Sequence, residues 1–295
     1  MRPHLLFAIA CLLCALFANA ECERKRDHRS NMSGGITVVD FRIAGMGKIG
    51  SVELSKIVNS FTGSCFDDDS EELEERVRAA FQQRGYFLAE VKNLRTKPLD
   101  VLVSPKPVDL EAEVAEGRRH RLAEIEFTGN PSFSGNRLRR QFPLRTGDVF
   151  DRDKIVSGLE ALLRLYASHG YIDCTFVPDT RMLPDAKVDL IVSVEEGKHY
   201  RMGALYIQAK KELSERLRQN WELAEGHPFD ATYLPKFIDT NNSLLPKDFT
   251  QEGNTRVFRN CDDVTVQVVV QVDLTPPPPP VTNDIGCNEA NNHER

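Results

Sequence analysis

Three groups of residues in this chain could carry chemistry. His169 lies just before Cys174, and an imidazole within reach of a thiol can take its proton and leave a nucleophilic thiolate. No third residue to orient the imidazole and no loop of oxyanion donors accompanies the pair. A helix-end histidine favoured by the dipole, with a cysteine packed in a strand, is the better reading. Asp67-Asp68-Asp69, with Glu71 and Glu72, offers the hard oxygen ligands that calcium takes. The same acids suit the first turn of a helix, where free N–H groups favour negative charge, and that assignment is preferred. Glu116 and Glu196 each precede a glycine and could be paired acids. They occupy matching points of a repeat, however, so they should lie far apart and mark turns. No catalytic residue, metal site or cofactor is expected, and the chain reads as a non-enzyme.

The repeat has a period of about 80 residues. Glu116-Gly117 leads into Arg118 to Arg121, and Glu196-Gly197 leads into Lys198 to Arg201. Before each runs an alternating strand, Val108-Asp109-Leu110 to Val114 and Val188-Asp189-Leu190 to Val194. Gly-Tyr steps recur at Gly85-Tyr86 and Gly170-Tyr171, and corners end at Phe66, Phe150 and Phe229. A fixed period of this kind signals a row of small modules rather than one large domain.

The middle copy is the easiest to resolve into elements. Ala123, Ile125 and Phe127 alternate with glutamates as a strand with one buried face. Asn136 to Phe142 suits a short helix stopped before Pro143. Asp151 is a good N-cap, and Ile155, Leu159, Leu162 and Tyr166 form one apolar helical stripe ending at Gly170. Ile172, Cys174 and Phe176 then alternate up to Pro178, and a strand from Val188 to Val194 closes the unit. The order is β-α-α-β-β. The first copy follows it, with Val39, Phe41 and Ile43 in the opening strand and Tyr86 to Val91 in the second. In the third, Leu213 to Leu223 and Tyr233 to Asn241 are helices, Leu244 to Gly253 is irregular, and Val264 to Val272 closes the unit. Helix pairs packed on single-faced sheets give α+β, two-layer modules, here in three repeats. Trp221, with Leu217 and Leu213 one and two turns earlier, is assigned to a core.

The expected boundaries are a signal peptide over 1–20, a flexible leader over 21–34, modules over 35–119, 120–199 and 200–274, and a Pro-rich disordered tail over 275–295. Arg2 and His4 precede an apolar run from Leu5 to Phe17 that closes on Ala18-Asn19-Ala20, a small-x-small cleavage signature. Removal of the signal would leave Cys22, Cys65, Cys174, Cys261 and Cys287, an odd number in an oxidising compartment, with no C-x-x-C pair and no deducible connectivity. A net charge of −6 argues against nucleic acid as a partner.

Gly147-Asp148-Val149-Phe150, the helix ending at Gly170-Tyr171, Val188-Asp189-Leu190 running to Glu196-Gly197, and the turn Phe127-Thr128-Gly129-Asn130 occur in an order that resembles POTRA domains, the polypeptide-transport-associated modules. The resemblance covers 36–203 well and 204–274 less well. It implies the periplasmic repeats that precede a barrel in outer-membrane assembly factors of the BamA and TamA type. Nothing after Val272 supplies a barrel strand, so pore or insertase activity is not carried over. The implied function is periplasmic binding or scaffolding in outer-membrane protein assembly or secretion. Unfolded outer-membrane or secreted polypeptides, or assembly subunits, are the expected partners. Membrane association would come through a partner rather than a span of the chain's own. The alternatives are a structural adaptor of division or envelope machinery, or an N-terminal remnant of a barrel transporter. In the resembled modules the second strand lies at a sheet edge and can accept an added strand. That marks Ile172, Asp173, Cys174, Thr175 and Phe176 as the candidate peptide-binding edge, with Tyr86 to Val91 and Thr255 to Arg259 as counterparts.

Overall fold

The structure, a computed structural model, describes residues 35–45 and 47–272. The signal-cleavage pair Ala18 and Ala20, the leader, and the Pro-rich tail lie outside the described residues. Two compact units are present, one within Met1–Thr128, Gly135–Leu159 and Pro178–Ser193, the other within Gly129–Ser134, Glu160–Val177 and Val194–Arg295.

The first sheet is built from β1 (Ile36–Ala44), β2 (Cys65–Phe66), β3 (Glu90–Pro98) and β4 (Lys106–Ala115), with helices α1 (Ser51–Phe61) and α2 (Ser70–Gln82) between β1 and β3. Its order is β2-β1-β4-β3, with β1 parallel and β3 antiparallel to β4. Ile36, Val38 and Phe41 enter the core, whereas Val39 is 49% exposed. The expected alternation of Val39, Phe41 and Ile43 therefore fails at its first member. A register shift between Val38 and Asp40 inserts one residue and turns Val39 to solvent. The helices supply Ile57, Phe61, Leu73, Val77 and Phe81 to the same core.

The second sheet contains β5 (Arg121–Thr128), β6 (Thr175–Leu183) and β7 (Lys187–Glu195) in the order β5-β7-β6, with α3 (Gly135–Arg139) and α4 (Arg152–Ala167) between β5 and β6. A bulge between Leu122 and Ile125 makes those two residues the buried positions of β5. Asp151 caps α4 as expected, its Oδ1 accepting from the N–H groups of Asp153 at 2.9 Å and Lys154 at 3.3 Å. Leu162 and Tyr166 are fully buried.

The third sheet holds β8 (Arg201–Gln208), β9 (Thr255–Asn260) and β10 (Thr265–Gln271) in the order β8-β10-β9. Helices α5 (Lys211–Gln219), α6 (Tyr233–Thr240) and the single turn α7 (Gln251–Asn254) lie between β8 and β9. Trp221 packs on this core, edge-on to Tyr233 at 5.0 Å and Phe237 at 4.9 Å, and its indole N–H donates to the Leu223 carbonyl at 2.7 Å. The fold class is thus α+β in three sheets, as expected. In each, the closing strand is central, parallel to the opening strand in the first, second and third sheets alike. The remaining strand, β3, β6 or β9, is left at an edge.

The marks that repeat every ~80 residues in sequence meet in space. In the first unit the His120 N–H donates to Gly85 at 2.7 Å and the Phe150 N–H donates to His120 at 3.0 Å. In the second unit the Tyr200 N–H donates to Gly170 at 2.8 Å and the Phe229 N–H donates to Tyr200 at 3.0 Å. Each Gly-Tyr step, the segment after each Glu-Gly, and the Phe150 and Phe229 corners belong to such a hydrogen-bonded joint, whereas Phe66 pairs with Ile36 of β1. Arg121 and Arg201 complete it by donating to the Gly147 and Gly226 carbonyls at 2.7 and 2.8 Å.

Candidate functional site

A strand edge binds through its unpaired main-chain groups, so the question is which N–H and C=O groups face outward on β3 and β6. The Leu99 N–H donates to the Pro107 carbonyl of the neighbouring chain segment at 2.9 Å, so Leu99 points inward. Main-chain direction alternates along a strand, and Pro98, Thr96 and Leu94 therefore point their main chain away from β4. Pro98 costs no ladder bond there, because its missing donor is on the open side. Thr96 and Leu94 present N–H and C=O groups outward on a strand that is almost wholly exposed.

β6 is a more guarded edge. It begins at Thr175 and continues through Pro178 to Leu183, so the strand expected over Ile172 to Pro178 is displaced toward the C-terminus. Ile172, Asp173 and Cys174 form the turn before it. Their alternating apolar character has another cause: Ile172 packs on the third core and Cys174 is buried. Asp173 accepts from the Tyr200 hydroxyl at 2.7 Å and pairs with Arg259. Within the strand Pro178 has no donor, and the Thr180 N–H is taken by the Asp179 carboxylate at 2.7 Å. At the start of the strand Phe176 is half-buried beside Val177, which is 47% exposed. The counterpart strand of the first module starts at Glu90, later than the expected Tyr86. Tyr86 is a buried residue of the turn after α2.

The other candidate chemistry resolves into structure. His169 Nδ1 bonds to the Leu165 carbonyl at 2.8 Å and the Ser168 hydroxyl at 2.9 Å, with the ring edge-on to Phe133. Burial, reinforced by Glu196, pushes the Cys174 thiol up to about 12, which leaves it protonated and inert. Cys65 and Cys174 are free thiols, and Cys261 is disulfide-bonded. Asp69 caps α2 by accepting from the Glu71 N–H at 2.9 Å, and Asp68 pairs with Lys106 at 3.0 Å. The acidic run serves the helix start.

Glu116 and Glu196 do more than mark turns. Glu116 accepts from the Gly47 N–H at 2.8 Å and from the Lys48 N–H. Glu196 accepts from the Ser132 N–H and the Tyr166 hydroxyl, both at 3.0 Å, and from the Ser132 hydroxyl at 2.5 Å. Each carboxylate ties the end of a module's closing strand to the loop after its opening strand. Sequence spacing alone could not show this, because the donors are mostly main-chain N–H groups.

Two of these buried groups give the fold a pH dependence. Burial opposes the charge on Glu116, but the Gly47, Lys48 and Ile49 N–H groups outweigh it and hold its pKa below the usual 4.5. His120 is 4% exposed with Nδ1 unpartnered. Burial lowers its pKa below 6.5, against a smaller opposing pull from the Arg118 and Gly85 main chain. Both pKa values are depressed on folding, so the unfolded chain binds protons more readily and stability falls as pH falls. The His120 contribution is lost first, below about pH 6.5, and the Glu116 contribution below about pH 4.5. Urea midpoints should decline between pH 7.5 and 5.5, and His120→Gln should flatten that decline. An unchanged slope in the variant would remove His120 as its source.

Tandem α+β units, each with its closing strand central and one strand left at an edge, define a modular scaffold. Residues 120–197 match the POTRA family, described as surface antigen variable number repeat. It is 22% identical over 202 residues to the outer membrane protein assembly factor BamA of Buchnera aphidicola, covering 67% of this chain and 32% of that protein. It is 26% identical over 127 residues to BamA of Neisseria meningitidis, covering 39% of this chain and 16% of that one. The chain thus spans about a third or less of these relatives. The crystal structure of Haemophilus influenzae BamA POTRA domains 3–5 superposes with a TM-score of 0.59 at 17% identity, covering 83% of this chain and 98% of that one. That likeness bears on the fold. Among the described residues no helix is long and apolar enough to cross a membrane.

Proposed function

We propose that this protein is a periplasmic scaffold in outer-membrane protein assembly or secretion, and that it holds extended polypeptides or partner subunits by strand addition to its sheet edges. The observation that carries the reading is the open edge of β3, where Leu94 and Thr96 turn main-chain donors and acceptors outward in a POTRA-type module. The first turn-proximal residues of β6, Thr175 to Val177, form a second and shorter docking edge. Main-chain bonding is nearly blind to sequence, which suits clients that differ in side chains but share an alternating, extended form. The relatives are named as outer membrane protein assembly factors, and the signal-like segment over 1–20 points the same way.

Photoreactive residues placed at Thr96 and Val177 test this in envelope extracts. Outer-membrane precursors or assembly subunits should crosslink at both positions, and a photoreactive residue at Arg216, on the exposed side of α5, should crosslink to neither. Equal or absent labelling at the three positions removes the basis for edge binding.

A further inference from the structure

The described residues of the first unit line an open cleft of about 630 Å³, formed by Lys48, Gly50, Glu53, Tyr86, Arg118, Arg119 and Arg121, with Asp185 and Ala186 at its wall. Four cations face two acids in a chain whose net charge is −6. The cations differ in what already holds them. Arg119 pairs with Glu53 at 3.2 Å and donates from Nε to the Arg84 carbonyl at 2.9 Å. Arg121 donates to the Gly147 carbonyl at 2.7 Å. Lys48 and Arg118 are exposed, and neither forms an ion pair among the described residues. The start of α1 opens on the same space: its N-cap is Gly50, which has no side chain to bond the first N–H groups. An 11-residue helix adds partial positive charge at that end.

We propose that this cleft binds an acidic segment of a partner polypeptide, with Lys48 and Arg118 as the primary carboxylate contacts and the α1 N-terminus as support. The volume lies in the range of pockets that bury a few side chains. Guanidinium groups match carboxylates in geometry as well as charge. A phosphate would place multiple charges against Glu53 and Asp185 in the same wall, whereas single carboxylates spaced along a chain can each meet a cation. The site is separate from the β3 and β6 edges and does not depend on strand addition.

The test is fluorescence anisotropy on the full mature chain at low salt, with a labelled peptide of alternating Glu and Gly. Its Gln counterpart and inorganic phosphate serve as comparators. The Glu peptide should bind, weaken steeply as salt rises, and lose at least tenfold in affinity in the double variant Lys48→Glu, Arg118→Glu. The neutral pair Lys48→Gln, Arg118→Gln should lose less, and Arg216→Glu, an equal charge change elsewhere, should lose almost nothing. Unchanged thermal midpoints establish that the variants fold. The proposal is overturned if the Gln peptide binds as well, if Arg216→Glu weakens binding as much as the cleft variants, or if phosphate displaces the peptide at equal concentration. The last result would assign the cleft to phosphate.

Discussion

Gly170→Ala should destabilise the protein by about 3–4 kcal/mol, while Gly147→Ala should cost about 1–2 kcal/mol. The two glycines have nearly the same backbone, with φ of +87° and +89°, so the strain of placing an L side chain in that region is shared. They differ in room. A Cβ on Gly147 meets nothing within 4 Å, whereas one on Gly170 falls 2.5 Å from the Tyr200 carbonyl oxygen and 3.0 Å from the His199 ring. That carbonyl cannot easily retreat. It accepts from the Phe229 N–H, and the Tyr200 N–H donates to Gly170 itself. The difference between the two variants isolates what close approach contributes to the joint, and urea unfolding measures it. Equal costs would show that the joint relaxes freely and is not the rigid element described above.

The second large effect concerns binding rather than stability. Thr96→Pro should reduce capture of an extended peptide at least tenfold and leave the unfolding midpoint almost unchanged. The Thr96 N–H faces away from β4, so proline removes no ladder bond, and Arg95 before it is already extended as a pre-proline residue must be. Pro98, two positions on, is tolerated at the same edge for the same reason. Lys97→Pro is the contrasting variant, because its N–H faces β4 and its loss should destabilise the sheet. If Thr96→Pro binds normally while folded, strand addition on β3 is not the mode of binding.

Much of the fold was legible because the chain states it more than once. The Gly-Tyr and Glu-Gly marks and the Phe150 and Phe229 corners recur because each belongs to the same kind of hydrogen-bonded joint. The helix α4 was visible from its apolar stripe, Ile155, Leu159, Leu162 and Tyr166. The errors have physical causes. Val39 faces solvent because a bulge shifts the register, and a bulge leaves no trace in an alternation count. Ile172 and Cys174 alternate like strand residues, yet they precede β6, Ile172 half-buried against the third core and Cys174 buried. β3, in contrast, carries charges at Glu90, Lys92, Arg95 and Lys97 and packs only Val91 and Leu94 on the first core, so periodicity gave no sign of it as far as Pro98. The two-residue strand β2 is too short to register at all. The cationic cleft was hidden for a different reason: Lys48, Arg118 and Asp185 come from three distant segments, and only the fold brings them to one cavity.

Amide hydrogen exchange at single-residue resolution offers the most direct test of the central claim. The protein would be saturated with a peptide of about ten residues alternating apolar and polar positions, the form of a barrel strand. Strand addition on β3 predicts that the Leu94 and Thr96 amides slow at least tenfold on binding, while Arg95 and Lys97, which face β4, change little. A bound peptide that leaves Leu94 and Thr96 exchanging as fast as in the free protein would contradict the account.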